Sequence, residues 1–557
     1  MSVLIMAKTV AEIEVGDRMP HFFNGWMTNH EEATMCLGQA GFNQLQKNCK
    51  IEELHLKEGA FVHATWNEAE FSLRHDCFGL YPILYLQLEN VFVASDSMLV
   101  LTNLKKMSGY TNKICKKVNA SRAWTHGLSS AIMSTYTIVK GIRYLPPAGC
   151  IKVSLERGKR ESVGFKIDVP DYTTIFSKER QPYFQQIKDS CQQVLRTVST
   201  LQSIPGIEIK LGLSGGLDSR VVFAALQYND SDLKCVNIRS NEHPSRKSDH
   251  VVVQSLAHQF QFSVNRKDNT KEIQERTGCK PVGIPYQYGN WALTNLGLFD
   301  MTYMYSSYWS HPVVVEMGGH GAEIVKGTFS KTNLFRIGFR KKPITYFQLR
   351  SEIKHALADI GVSYLNKGMM SWHYLTYKCA LQNASSRGRS LLSARPLLNR
   401  KLCSMGLHHS PASKNTILED MLILISPELA ASKFDKVEKK IKPEYIEKLV
   451  KIFSGFERLD TSPYKVSGTL KSIRNGTLDS FQNLADDFAE HKANSKQIIS
   501  MELEKTWAGI RSKTLQRQYQ AAYDLAVHRL GDDTSYSASA GTPASKIISL
   551  RLTENAS

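Results

Sequence analysis

IEIKLGLSGGLDSRVVFAAL, residues Ile207 to Leu226, joins a strand to a helix through a glycine-rich turn. Ile209, Leu211 and Leu213 read as a buried strand, Ser214-Gly215-Gly216-Leu217-Asp218-Ser219 as a loop, and Arg220-Val221-Val222-Phe223 as the opening of a helix. A strand feeding such a turn and a helix N-terminus makes an anion site, because free backbone N–H groups and the helix dipole converge on one point. The two glycines let the backbone approach an oxyanion closely, and Ser214 and Ser219 add hydroxyl donors. Asp218 is the odd member. A carboxylate beside bound phosphate is repulsive unless a cation lies between them, so the loop predicts phosphate together with Mg²⁺. No Lys follows the glycines, which excludes the Walker pattern.

The run SGGLDS in this strand-loop-helix setting resembles the pyrophosphate loop of the ATP-pyrophosphatase superfamily, which includes asparagine synthetases, β-lactam synthetase and lasso-peptide cyclases. The plainer alternative is a glycine-rich turn in an ordinary α/β domain. Downstream, residues from Leu233 to Ile238 read as the next parallel strand and those from Asp249 to Phe260 as the next helix. That alternation predicts a doubly wound sheet with ligand at the carboxyl ends of its strands.

A second chemical cluster lies at Val313 to Phe329, VVVEMGGHGAEIVKGTF, where an apolar strand again runs into glycines and a helix start. It resembles the G-E-G-S-D-E-L-F-G-G-Y segment of asparagine synthetases in two registers. In one, Gly319, Gly321 and Gly327 match family glycines, His320 fills the slot of a catalytic Glu, and Glu323 replaces a metal-binding Asp. In the other, Gly318 and Gly327 match, Glu323 matches the second acid, and Ala322 takes the metal-Asp slot. Either way Glu323 is the one carboxylate of the turn, and the resemblance implies that Asp218 and Glu323 share the Mg²⁺. His320 reads as a group acting on an incoming amine or as a surface histidine. Further on, Ala394 to Asn399 resembles the P-F-L-D segment, Lys414 to Leu418 the K-x-x-L-R helix, and Pro427 to Lys436 the segment carrying a catalytic Lys. Lys433 is the candidate there and Lys436 its rival, against the reading of both as solvated charges.

Upstream, residues 1–165 are β-rich, with candidate strands at Phe61 to Trp66, Glu70 to Arg74, Ile83 to Leu88 and Val91 to Ala94, which predict stacked antiparallel sheets. Asp76, Gly79, Pro82, Tyr85, Ala94, Ser95 and Asp96, followed by Ile142 to Gly149, resemble the amidotransferase-like (Ntn-type) half of asparagine synthetases. The glutamine-hydrolysing members of that class use an N-terminal Cys as nucleophile and, through its amine, as base. Here Met1 is followed by Ser2, and the nearest cysteine is Cys36, so a domain that no longer releases ammonia from glutamine is expected.

The chain's 557 residues exceed one core and predict several domains. These are a degenerate amidotransferase-like β-sandwich (1–165), an ATP-pyrophosphatase domain (175–436), a helical extension (437–531) and a disordered tail (532–557). The formal charge of +18 suits anionic partners, yet the basic residues are scattered and no nucleic-acid signature accompanies them. Ten cysteines without a CxxC pair indicate neither zinc nor a disulfide framework. No apolar run spans a membrane and Met1 to Val10 lacks a signal-peptide core, so a cytoplasmic protein is expected. The resemblance implies a ligase that uses ATP to adenylate a small-molecule or peptide carboxylate and then passes the acyl group to an amine. An asparagine synthetase using free ammonia and a non-catalytic scaffold are the competing readings.

Overall fold

The structure is a computed structural model. It describes residues 4–6, 21–45, 51–67, 70–88, 91–125, 127–154, 165–229, 233, 236–243, 246–266, 275, 281–282, 284–302, 308–309, 314–329, 343–366, 368–385, 392–408, 416–473, 495–531 and 541–554. Ser2 and Lys414 lie outside them.

The first half holds two sheets. Strands β1 (Leu4–Met6), β2 (His21–Asn29), β3 (Thr34–Leu37), β4 (Glu58–Trp66), β5 (Glu70–His75), β6 (Leu84–Leu88), β7 (Val91–Ser95), β8 (Ile142–Tyr144), β9 (Cys150–Ser154) and β10 (Phe165–Asp168) come from it. One sheet runs β1-β7-β6-β8; the other runs β10-β9-β5-β4-β2-β3 and is completed by β17 (Lys465–Gly468), parallel to β3. Phe22, Val62, Ala64, Phe71 and Leu73 of the larger sheet and Tyr85, Phe92 and Ala94 of the smaller one share an apolar cluster, as period-two alternation on facing sheets requires. The arrival of β17 corrects the domain division: a segment assigned to a helical extension closes the edge of the N-terminal sheet.

The second half is built on a four-stranded parallel sheet in the order β12-β11-β15-β16, from β11 (Glu208–Gly212), β12 (Val236–Arg239), β15 (Val314–Met317) and β16 (Leu392–Ala394). The short hairpin β13 (Pro281–Val282) and β14 (Tyr308–Trp309) lies between them in sequence. Ile209, Leu211, Val236, Ile238, Val315 and Met317 are buried, as expected where helices cover both faces of a parallel sheet. The helix Tyr183–Ser203 presents Ile187, Cys191, Val194, Leu195, Val198 and Leu201, its predicted apolar stripe, to the same core. Trp26, Met35 and Leu37 of the N-terminal sheet join that core, so the two halves are packed together.

The tail is also corrected. Residues 532–540 lie outside the described residues, but Thr542–Ile548 is a helix followed by the turn Ser549–Leu552, with Ala544, Ile547, Ile548, Leu550 and Leu552 all buried. No described helix is long and apolar enough to cross a membrane.

Candidate active site

β12 and β15 flank β11 on opposite sides, so successive connections leave β11 in opposite directions and open a crevice at the strands' carboxyl ends. Both glycine turns end there. The turn after β15 closes on the loop after β11: a Cβ added at Gly319 would lie 2.6 Å from the Asp218 Cβ and 2.8 Å from the Ser219 amide nitrogen. Two segments far apart in sequence thus meet, and only glycine permits the approach.

Ser214 to Ser219 forms a compact loop leading into the helix Leu217–Asn229. The Ser214 amide donates to Ser219 Oγ at 3.0 Å, the Gly216 amide to Ser214 Oγ at 3.3 Å, and the two hydroxyls are 3.1 Å apart. The Gly215 amide donates to Asp249 Oδ1 at 3.2 Å, so the carboxylate of the next helix occupies a donor that the sequence assigns to phosphate. Leu217 is buried and faces the core, contributing backbone rather than side chain to the turn.

Asp218 takes Lys326 Nζ on both carboxylate oxygens, at 2.7 and 2.9 Å. Lys326 caps the short helix Ala322–Val325 at the end of the second turn, which carries the ammonium across the crevice. Glu323 lies close by, its Oε2 accepting from the Gly321 amide at 3.2 Å; burial pushes its carboxyl up, and the Asp218 charge adds to the shift. Both Asp218 oxygens are thus engaged by an ammonium in this arrangement. Among the described residues no three His, Cys, Asp or Glu side chains gather as a metal site. The resemblance places Asp218 and Glu323 on a shared Mg²⁺; in this structure Asp218 is ion-paired with Lys326, with Glu323 on the same turn as that lysine.

His320 sits on the second turn, partly exposed, beside Gly318. The Lys433 side chain is exposed, and its carbonyl accepts from Arg220 Nη2 at 2.6 Å. Arg220 is fully buried, also donates to the Leu429 and Ser432 carbonyls, and stacks over Phe434 at 3.8 Å. Burial pushes its guanidinium down to about 10. The lysine that comes near the loop is Lys439, with Nζ 4.0 Å from where a Gly216 Cβ would stand, ion-paired to Asp435, whose amide donates to the Gly215 carbonyl. Lys436, the rival, is exposed.

Sequence reasoning missed Lys326, Arg220, Lys439 and Arg395. Arg395, 7% exposed, donates to the Glu316 carbonyl at 3.0 Å and to Asn383 Oδ1 at 2.8 Å, bracing β15 just before the second turn. The signal available for Lys326 was its place one residue after the apolar pair Ile324-Val325, in the same turn as Glu323.

No family model matches the chain, and no curated protein matches it in sequence.

Proposed function

We propose that the chain is an ATP-dependent amide-bond-forming ligase of the ATP-pyrophosphatase type, with an amidotransferase-like sandwich. The observation that carries this reading is the closure of the second glycine turn on Asp218 and Ser219 at the crevice of a parallel sheet, which brings Lys326 to the phosphate loop. In the first step a substrate carboxylate oxygen attacks the α-phosphorus of ATP and the bond to pyrophosphate breaks. In the second an amine attacks the acyl carbon, AMP departs with the bonding electrons, and the amine proton leaves to a base. Loop amides and the Ser214 and Ser219 hydroxyls bind the phosphates, Lys326 supplies the positive charge they need, and His320 takes the proton.

ATP/pyrophosphate exchange across a panel of acids, with aspartate plus ammonia included, tests the reading. Exchange with one acid, retained in His320→Ala while amide product falls by roughly a hundredfold or more, is the expected outcome. The second reading, a non-catalytic scaffold, is favoured by the Asp249 carboxylate on the Gly215 amide and by the Lys326 ammonium on Asp218, since both satisfy the loop from within. Failure of titrated ATP to bind and of every acid to support exchange would establish the scaffold instead.

A further inference from the structure

The helix Met98–Met107 ends on Lys105, Lys106 and Met107, and the chain then turns through Ser108 and Gly109. Met107 is 82% exposed and a Cβ added at Gly109 would meet nothing within 4 Å, so this turn stands clear of the surface around it. Beside it the chain at Ile114 bridges antiparallel to Val139, and the Lys140 amide donates to the Lys113 carbonyl at 2.8 Å, which sets Lys113 directly opposite Lys140. Lys105 Nζ donates to the Lys140 carbonyl at 2.7 Å and ties the helix end to that pair. Lys116 and Lys117 come next in the chain, and Lys117 Nζ donates to the Tyr136 hydroxyl at 2.8 Å. Lys106, Lys113, Lys116, Lys117 and Lys140 are all exposed.

Such a concentration of one sign opposes folding. Like charges directly opposite in a strand pair destabilise it. Burial holds the Lys105 ammonium below its usual range against the pull of Glu554 at the edge of the patch, and the Lys140 and Lys113 charges lower it further. An anionic surface laid over the patch offsets that repulsion and needs no shaped pocket to do so. Two features favour lipid over nucleic acid. The aromatic ring of the patch is already engaged, with the Arg143 guanidinium over Tyr136 at 3.7 Å and Lys117 Nζ 4.3 Å from its centroid, so it is not a platform for stacking bases. Met107, by contrast, sets an apolar side chain at a projecting turn among lysines, and an apolar anchor joined to basic charge is what holds a protein reversibly on an anionic bilayer.

We propose that this face docks the protein peripherally on an anionic phospholipid bilayer, with Met107 entering the headgroup layer and Lys106, Lys113, Lys116, Lys117 and Lys140 lying on its negative charge. The proposal does not depend on the ligase reaction, and Asp218→Asn should bind vesicles as the parent does.

The test sediments the full chain with vesicles of phosphatidylcholine alone and with vesicles that also contain about one third phosphatidylserine. At about 0.1 M salt the anionic vesicles should bind about tenfold or more tightly than the neutral ones, and the difference should collapse at about 0.5 M. Lys106→Gln, Lys113→Gln and Lys140→Gln together should weaken binding about tenfold or more, and Met107→Ser several-fold at unchanged charge. Relief of the Lys113–Lys140 repulsion should keep the thermal midpoint of that triple variant at or above the parent's. A second triple, Lys448→Gln, Lys451→Gln and Arg458→Gln, removes the same charge from an exposed stretch where Glu444, Glu447 and Glu457 are interspersed, and should leave binding near the parent's. Absence of binding, equal binding to both kinds of vesicle, a patch triple no weaker than the second triple, or indifference to Met107→Ser would overturn the proposal. A single-stranded RNA oligonucleotide bound more tightly than the anionic vesicles at the same salt would overturn it too, and would make the patch a nucleic-acid surface.

Discussion

Lys326 and Asp218 are each about one quarter exposed, so their attraction adds little to stability and its weight falls on whatever anion the loop receives. A free Asp218 would repel phosphate; paired on both oxygens, it holds an ammonium in place instead. Lys326→Met and Asp218→Asn should each lower pyrophosphate exchange by on the order of a hundred- to a thousandfold. The double variant should be little worse than either single one, because the residues act as a unit. Strict additivity in that cycle would remove the ion pair from the mechanism. Gly319→Ala places a methyl group 2.6 Å from the Asp218 Cβ and must displace one turn from the other. Exchange should drop about a hundredfold while far-ultraviolet circular dichroism is retained; near-normal activity would show that the turns need not touch. The glycines of both turns stood out in the sequence because their spacing is local. Lys326 did not, because a lone lysine has no pattern until the chain brings it to its partner.

At the level of single elements, the strands Glu58–Trp66, Glu70–His75, Leu84–Leu88, Val91–Ser95 and Glu208–Gly212 were legible from alternation and length. Two N-terminal segments singled out by resemblance also meet. Gly79, at φ +66°, has Pro147 against it, the Ala148 amide donates to the Asp76 carbonyl, and Asp76 accepts from the amides of Phe78, Leu80 and Tyr81. β16 and β17 were missed because three or four residues carry too little periodicity; each is a strand only through its neighbour in the sheet. The helix Pro343–Ala358 hides a charge in the same way. Its Glu352 is 5% exposed, accepts from Ser134 Oγ at 2.9 Å, and is pushed up to about 7 by burial, against the opposing hydrogen bonds from Ser121 and Ser134 and the charge of Arg122. A carboxyl that binds its proton more tightly when folded contributes stability that is whole below the ordinary value of 4.5 and is lost as pH rises through about 7. Glu352→Gln should therefore match the parent in urea unfolding near the acid end and exceed its stability at pH 8, by on the order of 2 kcal/mol. A constant offset between the two at every pH would place the titrating group elsewhere.

The whole molecule is closed by its last helix. Residues 532–541 are mostly small or polar, and a tail that opens with such a composition offers no local reason to fold. The reason is tertiary. Ile547, Ile548, Leu550 and Leu552 pack with Leu84 and Leu86 of β6 and with Leu515 and Tyr519 of the helix Lys513–Gly531, binding the N-terminal sheet to the C-terminal helices. Lys546 is fully buried, 3.0 Å from the equally buried Asp300, which also takes Arg122; its ammonium donates to the Ser129 carbonyl as well. Desolvating these charges is repaid only while each keeps its partners. Lys546→Met keeps most of the volume but leaves Asp300 short of one cation, and should cost about 3 kcal/mol in urea unfolding. Asp300→Asn alone strands two cations and should cost at least as much. The double variant, which removes one charge of each sign, should recover a large part of the loss, because a buried ion pair is weaker in net terms than its breakage suggests. A neutral Lys546→Met, or a double variant as unstable as the sum of the singles, would mean that the apolar residues alone hold the tail and that the buried charges are bystanders.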